Sequence, residues 1–190
     1  DGPGQMVPIA AQFVAGVHRH LAALTAIAAP SPVSYLRLGP HHWSCGYDAV
    51  GVQNREAAIR ICPSPDKNPE TRGNAFNIEI RSTDATASPY LAIGAMIRAG
   101  LEGIRGKLPA PTMIDEDPAD MTDARRAELG INELPGSLGA ALDAFHADTV
   151  ATGWFTPTMV EAYTAVKRLE AATYEASTPE HMCERYGHAY

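Results

Sequence analysis

Glu79 and Arg81 stand two positions apart in the stretch AFNIEIRSTDATASPY, residues 75–90. Side chains of an extended chain alternate between two faces, so Phe76, Ile78 and Ile80 take one side and Asn77, Glu79 and Arg81 the other. A carboxylate and a guanidinium then lie about 7 Å apart along one polar face. Taken alone, such a pair is a surface ion pair, common and weak. A second run, residues 57–61, places Ile59 and Ile61 on one side and Arg60 on the other. The loop between the two runs permits an antiparallel pairing. With their apolar sides together, Arg60, Glu79 and Arg81 share a face. That face is too charged for a core and too ordered for a chance surface, so chemistry is expected there.

The surrounding elements must hold these groups in place. Residues 8–28 read as one helix, with Ile9, Phe13, Gly16, Val17, His20, Leu21 and Leu24 near 3.6 spacing, and Pro30 and Pro32 stop it. Residues 34–38 read as a short extended piece turned by Gly39 and Pro40. Residues 41–51 hold Trp43, Cys45 and Tyr47 without periodicity and read as a loop. Residues 63–73 are a polar loop. Ser88 is a good N-cap and Pro89 suits the first helical position, which predicts a helix over 89–104. Leu91, Ile93, Met96, Ile97 and Leu101 make that helix apolar enough to be buried. Residues 108–130, rich in Pro and Asp, read as a solvated excursion. Helices are predicted over 137–146 and 156–177, and a last one after Thr178 and Pro179. The expected class is α+β: an antiparallel curved sheet that includes 57–61 and 75–81, backed by helices 8–28 and 89–104.

Composition narrows the function classes. The 190 residues are 45% hydrophobic, enough for a sizeable core. Lys and Arg total 15 against 22 Asp and Glu, a net charge of −7, which argues against nucleic acid as a partner. Cys45, Cys62 and Cys183 lack metal-binding spacing and read as reduced thiols of a cytoplasmic protein. The apolar run 7–29 is interrupted by Gln12, His18, Arg19 and His20, so no membrane span is expected. Asp1 opens a start with neither an initiator Met nor a basic leader, and the chain reads as a piece of a longer protein.

Four stretches stand in order: SYLRL at 34–38, QNREAAIRI at 53–61, NIEIR at 77–81 and DATASPYLAIGAMIRAGLEGI at 84–104. Together they resemble the catalytic domain of the glutamine synthetase family. The helix before SYLRL, LPGSL at 134–138 and the closing EHMCERYGHAY at 180–190 extend the resemblance over nearly the whole chain. It implies the catalytic-domain fold of that family. It also implies an ATP-dependent ligase that joins ammonia or an organic amine to the γ-carboxylate of glutamate through γ-glutamyl phosphate, with Mg²⁺ or Mn²⁺. By the match to NIEIR, Glu79 is implied as a metal ligand, and hard carboxylate oxygens suit those ions. Arg37 and Arg81 are implied near the substrate glutamate, and Arg55 and Arg60 over the ATP phosphates, Arg60 also at the transferring phosphoryl group. Planar guanidinium groups suit both carboxylate and phosphoryl oxygens. A non-catalytic relative with a structural or assembly role is the alternative.

The chain departs from the family pattern at several positions. Val33 and Leu36 replace Asn and Lys, and Asn77 replaces an arginine. Trp43 stands where ammonia-using members carry a glutamate that helps to deprotonate ammonium. An indole takes no proton but packs against, or makes a cation–π contact with, an organic amine. His41 and His42, in the same loop, are candidates for the base. The resemblance makes residues 1–190 the C-terminal portion of a catalytic domain. The N-terminal β-grasp domain, the upstream catalytic strands and their metal ligands lie outside it. It further implies a homo-oligomeric ring for the full-length enzyme and no activity for this portion alone.

Overall fold

The computed structural model describes residues 4, 6–42, 44–68 and 70–188. Helix α1 (Pro8–Arg19) starts on a proline and buries Ala11, Val14, Ala15, Gly16 and Val17. The single helix expected over 8–28 is instead two. At His20 the backbone leaves helical geometry, with φ −102° and ψ 8°, and α2 (Leu21–Ala28) follows with all but Ala22 buried. The break has a tertiary cause on its face. The buried His20 ring meets Asp148 at 2.5 Å, Nδ1 to Oδ2, from 128 residues further along the chain.

The piece expected to be extended at 34–38 is a 3-10 helix, Pro32–Leu36. Pro32 fixes φ at its first position, and the Ser34 amide donates to the Ser31 carbonyl at 3.0 Å. It carries the chain from α2 toward Arg37.

Four strands form one sheet in the order β3-β2-β1-β4. Strands β2 (Ile59–Cys62) and β3 (Asn77–Ile80) pair antiparallel, Ile59 opposite Ile80, Arg60 opposite Glu79 and Ile61 opposite Ile78. Ile59 and Ile61 are fully buried, and Ile78 and Ile80 pack on the same core. Each fully buried isoleucine contributes about 2 kcal/mol. Period two thus separates core from polar face here as the sequence implies. The other neighbours are parallel: β1 (Val50–Val52) beside β2, and β4 (Met113–Ile114) beside β1. Strand β1 lies at the end of the stretch read as a loop, and three residues are too few to show a period. Strand β4 and helix α4 (Asp123–Leu129) lie inside the excursion read as solvated loop. Thr122 caps α4, and Gly130, at φ 70°, ends it in a conformation that suits glycine.

Helix α3 (Pro89–Arg105) lies on α1, but not as expected. Its buried residues are the small ones, Ala92, Ala95, Ala99, Gly100 and Gly103. Tyr90, Ile93 and Ile97 remain 89%, 57% and 48% exposed. The backbones of α1 and α3 approach too closely for larger side chains. A Cβ on Gly103 would lie 2.0 Å from the Gln12 carbonyl oxygen, and one on Gly16 would lie 2.1 Å from that of Ala99. The small face is therefore the contact face.

The C-terminal helices close the other side of α2. Helix α5 (Leu138–Ala147) is capped by Ser137 and buries Leu138, Ala141, Leu142 and Phe145. Asp148 caps the short α6 (Thr149–Thr152) while it holds His20. Helix α7 (Pro157–Tyr174) starts on the Thr156 cap, and its Tyr163 hydroxyl donates to the Ala26 carbonyl at 2.6 Å. Helix α8 (Pro179–Gly187) starts on the Thr178 cap. No helix among the described residues is long and apolar enough to cross a membrane.

Candidate functional site

The register of β2 on β3 sets Arg60 directly across from Glu79. Arg81 follows β3 by one residue and returns to the same face. The result is one carboxylate held by two guanidinium groups. Arg60 Nη2 lies 2.7 Å from Glu79 Oε2, and Arg81 Nη1 lies 3.0 Å from Glu79 Oε1. Each carboxylate oxygen thus has its own arginine. Arg60 is further fixed by a 3.3 Å contact from Nε to Cys62 Sγ. The side chains of Arg60, Glu79 and Arg81 are 22%, 37% and 11% exposed, so the triad is held in the surface rather than free above it.

Arg37 joins the triad indirectly. Its Nη2 donates to the carbonyl of Thr83, two residues beyond Arg81. The end of the 3-10 helix is thereby tied to the chain that leaves β3. Arg55 lies exposed on the bend between β1 and β2 and takes no part in the triad. Trp43 lies outside the described residues.

Two groups not singled out in the sequence complete the neighbourhood. Glu56, beside Arg55, meets the His41 amide through Oε2 at 3.4 Å. Asp117, in the loop after β4, lies 3.7 Å from Nδ1 of His41. Loop residues so far apart in sequence leave no local signal of their meeting. Their positions follow from β4 pairing beside β1.

Cys45 sits under this region, fully buried. Burial pushes its thiol up to about 11, although the charges of Arg81 and Arg37 act on it in the opposite sense. A thiol so protonated is a poor nucleophile at neutral pH. With a water-soluble disulfide reagent near neutral pH, the exposed Cys183 is expected to react first and Cys45 only on unfolding. Rapid labelling of Cys45 in the folded protein would contradict this placement.

The triad and Arg37 supply three cations against one carboxylate, a surface suited to the oxygens of carboxylate and phosphoryl groups. Toward a divalent cation this face supplies Glu79 alone. Among the described residues no three His, Cys, Asp or Glu gather around it, and the one such group is His41, Asp117 and Asp120. The hard oxygens of Glu79 are of the kind that suits a divalent cation, as one ligand and not a full set.

Residues 1–186 match the family model for the glutamine synthetase catalytic domain. The chain belongs to the glutamine synthetase family. It is 38% identical over 185 residues to the gamma-glutamylpolyamine synthetase of Streptomyces coelicolor, covering 97% of this chain and 39% of that protein. It is 39% identical over 142 residues to the glutamine synthetase of Pyrococcus furiosus, 75% of this chain and 31% of that protein. A crystal structure of a novel glutamine synthase homolog superposes with a TM-score of 0.82 at 37% identity, covering 99% of this chain and 40% of that one. A GmaS–ADP complex superposes with a TM-score of 0.75 at 28% identity, covering 97% of this chain and 41% of that one. The chain thus spans 31% to 41% of the length of these family members, and its α+β fold is that of the glutamine synthetase catalytic domain.

Proposed function

We propose that this chain works as the C-terminal portion of an ATP-dependent ligase. The enzyme joins an organic amine to the γ-carboxylate of glutamate through γ-glutamyl phosphate. The observation that carries the reading is the Arg60–Glu79–Arg81 triad, with Arg37 one backbone link away. A carboxylate is a poor acyl donor until phosphorylation gives it a good leaving group. That step gathers negative charge on the phosphoryl oxygens, and fixed cations stabilise it. Arg60 is assigned to the transferring phosphoryl group, and Arg81 and Arg37 to the carboxylate of glutamate. Arg55, on its exposed bend, is assigned to the ATP phosphates. Mg²⁺ or Mn²⁺, when bound, would supply further charge neutralisation, and Glu79 is its ligand from this chain. The pairing of Glu79 with two arginines then has a second use. It keeps both guanidinium groups oriented until an anion takes the carboxylate's place.

Two points favour an organic amine over ammonia. Trp43 replaces the family glutamate of the ammonia-using loop. The Streptomyces coelicolor relative, matched along 97% of the chain, is named for polyamines. The full-length protein is also expected to form the homo-oligomeric ring of its family, in the cytoplasm. With glutamate, ATP and Mg²⁺, it should release ADP with putrescine at a kcat/KM about tenfold or more above that with ammonium. Equal or greater efficiency with ammonium would make it a glutamine-forming enzyme.

A further inference from the structure

We propose that His41, oriented by Asp117, is the base that takes the proton from the incoming ammonium of the amine. This rests on the ligase reading above. An amine attacks only through its lone pair, and an alkyl amine is almost wholly protonated at neutral pH, so some group must remove a proton. The indole of Trp43 cannot.

Two contacts and its place in the chain position His41 for the task. Its loop follows Arg37 by four residues, and Arg37 is tied to the chain beside Arg81 through Thr83. Its amide is held by Glu56, whose neighbour is Arg55. Glu56, Arg37 and Arg81 all act on the buried Cys45 thiol, which joins those three groups in one neighbourhood. The ring is exposed, and its Nδ1 is turned toward Asp117 Oδ2 at 3.7 Å. That separation is long for a hydrogen bond, as such pairs often are before substrate arrives. Asp120 lies within the same cluster. The titratable groups facing His41 are thus Asp117 and Asp120 from the loop after β4 and Glu56 from the loop between β1 and β2, the last of these at the amide. His42 adjoins it in the chain. The backbone at His41 has φ 62°, a left-handed geometry that asparagine tolerates and most residues do not.

With Nδ1 turned to Asp117, Nε2 is the acceptor. The ammonium gives one proton to Nε2, and the electron pair of the broken N–H bond stays on nitrogen as its lone pair. The lone pair attacks the γ-carbonyl carbon of γ-glutamyl phosphate. The C–N bond forms, the C–O bond to phosphate breaks, and phosphate leaves with the bonding pair. The second amine proton departs with the phosphate, and the imidazolium returns its own proton to water. Asp117 is a positioning residue: it orients the ring through Nδ1.

The test compares two nucleophiles in the full-length protein, putrescine and hydroxylamine. Hydroxylamine is already largely unprotonated at neutral pH and needs no base. His41→Asn, which keeps the backbone geometry, should lower kcat/KM with putrescine by about 10²-fold and with hydroxylamine by about threefold or less. Asp117→Asn, which loosens the hold on the ring, should lower kcat/KM with putrescine by about tenfold and leave hydroxylamine within about threefold. Equal losses with both nucleophiles would mean a structural role and overturn the proposal. So would an unchanged putrescine rate in either variant, or recovery of His41→Asn by added Mn²⁺. If the wild-type protein turns over neither nucleophile, the ligase reading itself fails.

Discussion

Glu79→Ala in the full-length protein is expected to lower ATP turnover with glutamate and saturating Mg²⁺ by about 10²–10³-fold, the usual effect of removing one charge-stabilising group from a transition state. Two losses combine. On the proposed reading the carboxylate is a ligand of the divalent cation, and it also holds Arg60 and Arg81, each on its own oxygen. The fold should survive. Glu79 stands at the protein surface and fills no part of the core, so the thermal midpoint should fall by the equivalent of about 1 kcal/mol. Arg81→Ala should behave differently. It loses a contact made in the ground state as well as in the transition state, so KM for glutamate should rise along with the fall in kcat. If Glu79→Ala keeps its turnover while its midpoint collapses, Glu79 is a structural ion-pair partner and the assignment is wrong.

Gly103→Ala should destabilise the protein by about 3 kcal/mol, at the upper end for overpacking, because the obstacle is backbone. The added Cβ would lie 2.0 Å from the Gln12 carbonyl oxygen and 2.6 Å from the Gly16 amide nitrogen. Alanine improves helix propensity by about 1 kcal/mol, which the clash outweighs. Gly94→Ala is the matched control, on the same helix. Nothing lies within 4 Å of its Cβ position, so propensity alone acts and the variant should gain about 0.5–1 kcal/mol. Denaturant unfolding of the two variants should shift in opposite directions. Shifts of the same sign would show that α1 and α3 are not held at backbone contact.

The polar triad was legible in the sequence because its two strands have enough residues to show period two on both sides of the pair. Ile59 and Ile61 face Ile80 and Ile78, and that pairing alone sets Arg60 against Glu79. Strand β1 was not legible, since Val50–Val52 is three residues long and its middle one is glycine. The helix break at His20 was hidden for another reason. The spacing of apolar residues runs through it unchanged, and its partner Asp148 lies 128 residues away. Helix α3 misled in a third way. Large apolar side chains suggested the buried face, whereas its glycines and alanines make the contact and Ile93 and Ile97 face outward. The meeting of His41 with Asp117 depended on the parallel placement of β4 beside β1, which two residues of strand cannot announce.

The central claim is that glutamate is activated as γ-glutamyl phosphate beside Arg60 and Arg81. Isotope transfer tests it most directly. The full-length protein is given ATP, Mg²⁺, putrescine and glutamate carrying ¹⁸O in its γ-carboxylate, and the released phosphate is analysed by mass. Phosphate carrying one ¹⁸O for each amide formed is the expected result, and Glu79→Ala should slow its release without changing that ratio. Amide formation with unlabelled phosphate would show that the carboxylate oxygen never reaches phosphorus, and would contradict the account.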